Sequence, residues 1–311
     1  MQVALGVDIG GTNTAFGLCD REGNIYESQS IPTTGHPDAL SLIKVIQDRL
    51  ASSLNSFELL GIGIGAPNGN YFTGSIEFAP NLEWEGQIPL ASYFQECFGV
   101  PAVLTNDANA AAIGEMIYGN AKDLTDFVEI TLGTGLGSGI VVNNQLIYGH
   151  DGFAGEYGHI SVIPNGRICG CGRKGCLETY ASATGVVRSI QELASENKST
   201  SSLLSLDSPT GLDLFKAYQK GDTFAGEIIQ YTADILGNAL ANFACFSNPK
   251  AYVLFGGIAQ SGSEFASLVK RSMEQNILNI YQDRIEIRVS GLHDKNAAVL
   301  GSSSLVWKEM E

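Results

Sequence analysis

Basic residues are scarce in this chain: 18 lysines and arginines stand against 33 aspartates and glutamates in 311 residues, a formal net charge of −15. A surface of that sign does not bind nucleic acid or anionic membrane as a general property, because displacing counterions from a polyanion takes a basic face. Long apolar runs are also lacking, and none approaches the roughly 18–20 residues that cross a bilayer. The opening Met1-Gln2-Val3-Ala4-Leu5-Gly6-Val7-Asp8 has no basic stretch before its apolar one, unlike a secretory leader. No Walker A lysine motif is present, which argues against P-loop chemistry. What the chain has in quantity is apolar residues, 44%, and 37 glycines, the composition of a folded, turn-rich protein. A soluble, cytoplasmic protein of one large domain or two mid-sized ones is expected.

Val3–Ile9 is apolar and β-branched and stops at Gly10-Gly11-Thr12-Asn13; Ala15–Cys19 and Ile25-Tyr26 follow, divided by a polar turn. The pattern predicts three antiparallel strands with a glycine-rich first turn. It recurs downstream: Phe127–Leu132, the turn Gly133-Thr134-Gly135-Leu136-Gly137, Gly139–Val142, Asn143-Asn144, then Leu146-Ile147-Tyr148. Two copies of strand, Gly-Thr turn, strand, turn and strand point to a duplicated lobe. Helical spacing is expected over 38–54, 110–118, 228–246 and 264–280, and strands over 59–64, 102–104 and 252–255. Gly61-Ile62-Gly63-Ile64-Gly65-Ala66 formally matches a dinucleotide fingerprint, but Pro67 and Asn68 stand where a helix would open. A buried strand packed closely through glycine is the better reading. The polar stretch 196–211 is expected as a surface loop or a weak helix end.

Four segments could carry chemistry. Asp8, at the end of a buried strand and followed by Gly10, Gly11, Thr12 and Asn13, can hold a hydrated magnesium beside backbone N–H donors, or simply form a tight turn. Gly133-Thr134-Gly135 offers a second such turn. Asp107, in Asn106-Asp107-Ala108-Asn109, either caps a helix or serves as a base at the carboxyl end of a strand; Asn106 beside it suits a sugar diol. Cys169, Cys171 and Cys176 lie within eight positions, and His159 precedes them. This set fits a closed Cys3His zinc site of structural type better than a disulfide with a stray thiol. Glu156 and Glu178 bracket the loop and are either acceptors for sugar hydroxyls or ordinary solvated glutamates. Cys19, Cys97 and Cys245 lie among apolar residues and are expected in cores.

Together these segments resemble the ROK family of repressors and sugar kinases, and within it the bacterial glucokinases. The resemblance spans essentially the whole chain. It rests on Asp8-x-Gly-Gly-Thr12, Ala79-Pro80-Asn81-Leu82-x-Trp84, Asn106-Asp107-Ala-Asn-Ala-Ala, Leu132-Gly-Thr-Gly-x-Gly137, Gly155-Glu156-x-Gly-His159 and the Cys-Gly-Cys-Gly-x-x-Gly-Cys-x-Glu178 run. It implies an α/β, actin-like ATPase (RNase H-like) fold of two lobes with a central cleft. The N-terminal lobe would comprise 1–106 plus a C-terminal helix over 295–311. The second lobe, 107–294, would carry the zinc loop and the nucleotide contacts. It implies Mg-ATP as donor and a hexose, glucose first, as acceptor, with Asp107 as catalytic base. Asn81, Asn106, Asp107, Glu156, His159 and Glu178 would bind the sugar. Asp8, Gly10–Asn13, Gly133–Gly135, Gly256 and Gly257 would serve the nucleotide, and His159, Cys169, Cys171 and Cys176 the zinc. Family members are often dimers or tetramers, so a homodimer or homotetramer is expected. Departures from the family pattern fall at Asn13, Ser138 and Pro67-Asn68-Gly69.

Kinases of N-acetylmannosamine, N-acetylglucosamine or fructose are the neighbouring activities, and a silent sugar sensor is a further alternative. A repressor would need a DNA-binding segment ahead of the first strand, which begins by Val3. The negative charge also disfavours polyphosphate as donor, because a long polyanion needs an extended basic track.

Overall fold

A computed structural model describes residues 1–79, 82–196, 201–207, 209–259, 263–292 and 297–310. In chain order its elements are β1 (Gln2–Ile9), β2 (Asn13–Cys19), β3 (Ile25–Pro32), α1 (Ala39–Leu54), β4 (Glu58–Gly65), β5 (Gly69–Asn70), β6 (Ser75–Glu77), β7 (Gln87–Ile88), α2 (Leu90–Phe98), β8 (Ala102–Thr105), α3 (Asp107–Ile117), β9 (Phe127–Leu132), β10 (Leu136–Val142), β11 (Gln145–Leu146), α4 (Glu178–Ala181), α5 (Ala183–Glu196), α6 (Gly211–Gln219), α7 (Thr223–Ser247), β12 (Ala251–Phe255), α8 (Ser263–Asn276), β13 (Glu286–Val289) and α9 (Ala297–Glu309).

The chain divides into two compact units. Unit 1 comprises Met1–Asp123, Gln145–Ala154 and Gly291–Glu311; unit 2 comprises Leu124–Asn144 and Gly155–Ser290. The division expected after residue 106 falls instead after Asp123, because α3 belongs with α9. Gly114 and Gly301 let the two helices touch: a Cβ at Gly114 would meet the Gly301 Cα at 2.8 Å. Segment 145–154 also returns to unit 1, where Tyr148 stacks on Tyr71 at 4.1 Å and Asn70 Nδ2 donates to the Asp151 carbonyl at 2.7 Å.

In unit 1 the sheet runs β3-β2-β1-β4-β8. β1, β2 and β3 are antiparallel neighbours, and β4 and β8 run parallel to β1. Strand alternation sends Leu5, Val7, Ile62 and Ile64 into a core with Leu42, Ile43, Ile46, Leu50 and Phe94. Asp38 caps α1 through the Ser41 N–H, as its place after Pro37 suggested. The opposite face carries Gly6, Gly61, Gly63 and Gly65, and α9 lies against it. A Cβ at Gly6 would meet the Val299 carbonyl oxygen at 2.1 Å, and one at Gly63 the Ser302 oxygen at 1.8 Å. The glycine-rich segment is thus a strand that admits a helix backbone, not a dinucleotide turn.

Unit 2 repeats the order: β10 pairs antiparallel with β9, β9 parallel with β12, and β12 parallel with β13. The repeat read from the two Gly-Thr turns therefore extends over four strands of each sheet. Its core joins Val128, Ile130, Leu132, Tyr252 and Leu254 to Phe224, Ile228, Leu236, Leu240 and Phe243 of α7.

Several expectations need correction. β10 begins at Leu136, so the second glycine turn spans 133–135; the strand expected at 146–148 is only Gln145–Leu146. α7 starts earlier, at Thr223, capped by Asp222; α8 ends at Asn276, with a separate 3-10 turn over Asn279–Tyr281. The sheet β5-β6-β7 has no clear signal in the sequence, because its strands are two or three residues long. Cys19 is buried and Cys97 half-buried, but Cys245 is exposed. Its neighbour Phe246 is 85% exposed, so apolar residues near the end of α7 spill onto its outer face. Within 196–211 a 3-10 turn spans Ser202–Ser205, and 197–200 and 208 lie outside the described residues.

Gly63→Ala should lower the stability of unit 1 by about 1–3 kcal/mol, since a methyl group there collides with backbone rather than with a movable side chain. Urea unfolding checks this, and an unchanged midpoint would mean that α9 is free to withdraw.

Candidate functional site

The residues singled out in unit 1 collect at the carboxyl ends of parallel strands, where open α/β sheets take ligands. β1 ends next to Asp8, β4 at Gly65, and β8 at Thr105, just before Asn106 and Asp107. The turn after β1 is closed by the Gly10 N–H donating to the Asn13 carbonyl at 2.9 Å, and the Thr33 N–H donates to the Thr12 carbonyl at 2.8 Å. Thr12 and Asn13 are exposed at its tip. Asp8 lies on the glycine face of the sheet: a Cβ at Gly65 would come within 3.3 Å of Asp8 Oδ1 and 3.4 Å of the Ala110 Cβ of α3.

The helix cap is Asn106, not Asp107. Asn106 Oδ1 accepts from the Asn109 N–H at 2.9 Å, while Asp107 Oδ1 accepts from its neighbour Ala108 at 2.9 Å. Asp107 is therefore not spent on capping. Its side chain is open to solvent, yet the protein massed around it raises its pKa, against a smaller lowering by the Ala108 N–H. Burial also raises Asp8, to about 7, and the negative charge of Asp107 adds to the effect. Both carboxylates are thus predisposed to take a cation or a proton.

In unit 2 the candidate residues form a second group. β9 ends at Leu132, and Gly256 follows β12 with a φ of 106°, where a Cβ would meet the Leu132 oxygen at 2.5 Å. The turn 133–135 and Gly256-Gly257 thus sit side by side at strand ends. The Gly133 carbonyl accepts from the Ala183 N–H at 2.8 Å and the Thr134 carbonyl from Thr184 Oγ1 at 2.8 Å, so the start of α5 holds this turn. Ser138, a departure from the family pattern, has a role inside β10: its hydroxyl donates to the Gly155 carbonyl and accepts from the Tyr157 N–H at 3.3 Å. This ties the strand to the segment bearing Glu156 and His159. Asn68, the other departure, takes a positive φ of 51°, and its side chain donates to the carbonyls of Glu77 and Phe78.

His159, Cys169, Cys171 and Cys176 come together, with one donor atom from each lying within 4.8 Å of the others. Cys171 Sγ and Cys176 Sγ are 3.7 Å apart, and Cys169 Sγ is 3.6 Å from His159 Nδ1. A tetrahedral ion with thiolates at 2.3 Å has edges of about 3.8 Å, so the four donors fit zinc. Glu156 Oε2 lies 3.8 Å from His159 Nε2, in position to orient the ring from behind. Burial, with the neighbouring thiols Cys171 and Cys176, raises the Cys169 thiol to about 12, so its ionisation depends on a cation. Two glycines shape the loop: Gly172 has a φ of 86°, and a Cβ at Gly175 would meet the Ile163 oxygen at 1.8 Å.

Glu178 joins this loop to the glycine turn. Its Oε2 accepts from the Leu136 N–H at 3.0 Å, and its Oε1 lies 3.6 Å from Cys169 Sγ. It is only partly exposed, unlike a solvated surface glutamate. Asn81 lies outside the described residues. Arg167 carried no sequence signal. It is buried, stacks on Tyr180 at 4.4 Å, and donates to Glu192 and to the Thr179 and Gly185 carbonyls, anchoring the base of the cysteine loop on α5.

The ROK family model matches residues 4–309. A glucokinase of Halalkalibacterium halodurans is 37% identical over 98% of this chain and 95% of its own length. A xylose repressor of Caldicellulosiruptor bescii is 30% identical over 98% of this chain and 78% of its own. Among solved structures, a ROK family glucokinase from Streptomyces griseus in complex with glucose and AMPPNP is 32% identical, covers 98% of this chain and 99% of its own, and superposes with a TM-score of 0.84. The chain belongs to the ROK family and has the actin-like ATPase fold of its sugar kinases.

Proposed function

We propose that this chain is an ATP-dependent hexose kinase that transfers the γ-phosphoryl group to the 6-hydroxyl of glucose. The observation that carries the reading is Asp107: a carboxylate of raised pKa at the end of a parallel strand, relieved of capping by Asn106. In this role Asp107 accepts the hydroxyl proton as the oxygen attacks in line, and a raised pKa brings the base nearer the operating pH. Asp8 would help to position the magnesium that accompanies ATP. Unit 1 adds the Gly10–Asn13 turn for phosphate, and Asn106 and Asn81 for the sugar. Unit 2 adds Gly133–Gly135 for phosphate, Gly256-Gly257 near the adenosine, and Glu156, His159 and Glu178 for sugar hydroxyls. A zinc ion with all four positions filled by His159, Cys169, Cys171 and Cys176 supplies structure rather than an activated water. The glucokinase of H. halodurans and the glucose–AMPPNP complex of the S. griseus enzyme support glucose and ATP over an N-acetylhexosamine or fructose. The C. bescii repressor supports sugar binding without catalysis as a second reading.

A coupled ADP-release assay across hexoses and N-acetylhexosamines tests the substrate, and no turnover with any sugar would favour the sensor. Asp107→Asn should reduce kcat by about 10²–10⁴-fold and leave glucose affinity largely intact; turnover retained within about tenfold would remove Asp107 from the role of base. The ionised form of a base is the active one, so activity should rise with pH through the raised Asp107 pKa. The acid limb of kcat/KM should therefore lie above the usual carboxylate value of about 3.9, and a limb at or below that value would contradict the assignment. Cys171→Ser should lose zinc by elemental analysis and weaken glucose binding together; full glucose affinity in a zinc-free protein would separate the loop from the sugar.

A further inference from the structure

We propose that Glu115 is a positioning residue for phosphoryl transfer: it locks the chain around Asn120 and around Gly291 to the helix that begins at Asp107. The proposal rests on the kinase reading above. Glu115 lies in the last turn of α3 and is fully buried. A negative charge there opposes the helix dipole, so its presence needs another source of stabilisation. Its Oε2 accepts from the Asn120 N–H at 2.7 Å and the Gly291 N–H at 3.2 Å, and its Oε1 from the Leu292 N–H at 3.3 Å. Its main-chain carbonyl accepts from the N–H groups of Tyr118, Gly119 and Ala121, the last two at 3.1 and 3.2 Å. One residue thus collects backbone donors from two stretches far apart in sequence.

The surroundings are shaped for that carboxylate. A Cβ at Gly119 would lie 2.0 Å from Glu115 Oε2, and one at Gly291 would lie 2.7 Å from the Asn120 nitrogen. Neither glycine has a positive φ, so both are needed for space rather than for conformation. The chain passes between the units at four places, and two of them, after Asp123 and before Gly291, lie beside this carboxylate. These two passages therefore start from a block that the carboxylate fastens to α3. Asp107 and Glu115 are eight residues apart on one helix, a span of about 12 Å. Any bending of either passage during turnover begins against this block; with the block loosened, the bending reaches the helix that aims Asp107.

The test is steady-state kinetics, glucose affinity, thermal melting and amide exchange on the full-length protein. In wild type the Asn120, Gly291 and Leu292 amides should exchange as slowly as those of α3, and rapid exchange would overturn the proposal without any variant. Glu115→Gln keeps the shape but turns an N–H toward backbone N–H donors, and Gly119→Ala displaces the carboxylate with Glu115 still present. Both should lower kcat by about 10–100-fold with glucose Kd within about twofold of wild type. The proposal fails if kcat stays within about twofold, or if kcat and glucose affinity fall in step with melting temperature, which marks a purely structural role. A wild type that transfers no phosphoryl group overturns the kinase reading and this inference with it; an active wild type beside unaffected variants overturns this inference alone.

Discussion

Much of unit 1 depends on how closely one helix backbone approaches one sheet. Ordinary helix-on-sheet packing is kept apart by side chains on both surfaces, but here Gly6, Gly61 and Gly63 remove them on the sheet side, and Ser302 and Ser303 are small on the helix side. α9 comes close enough for its main-chain oxygens to exclude any methyl group. Gly114 and Gly301 then admit α3 against α9, and the position of α3 sets where Asp107 stands. The Asp107 carboxylate is thus placed by a chain of backbone contacts, and its own hydrogen bonds are local ones, accepted from the Ala108 N–H and from its own main-chain N–H.

The electrostatic logic is local. On the proposed kinase reading, a chain of net charge −15 needs its positive field at one place, and turns of backbone N–H groups would supply it without lysine or arginine. Burial raises the pKa of both Asp8 and Asp107, and the Asp107 charge adds to the rise at Asp8. In unit 2 the Glu178 carboxylate accepts from the Leu136 N–H and approaches Cys169, so a single side chain relates the glycine turn to the cysteine loop.

Much of this was legible in the sequence, for physical reasons that differ by residue. The two Gly-Thr turns announced the repeated sheet because a tight turn after a buried strand leaves a short, distinctive pattern. The cysteine loop was legible because three thiols within eight positions, preceded by a histidine, make a donor set that the fold then gathers. Asp107 was ambiguous between cap and base; the hydrogen bond from Asn109 to Asn106 gives the cap to Asn106 and leaves the base as a proposed role for Asp107. Arg167 and Glu115 were illegible. Each is a charged residue buried by partners distant in sequence, and composition cannot distinguish such a residue from a solvated one. The boundary of unit 1 was missed for a related reason: contacts between α3 and α9 come from glycines, which carry no periodic signal.

Unit 1 is assembled from three stretches, and its last helix follows the whole of unit 2 in the chain. During synthesis the glycine face of its sheet therefore waits uncovered until all of unit 2 has been made. Unit 2, interrupted only by ten residues, reaches its final core first. The order of completion is thus the reverse of the order of the two opening strands.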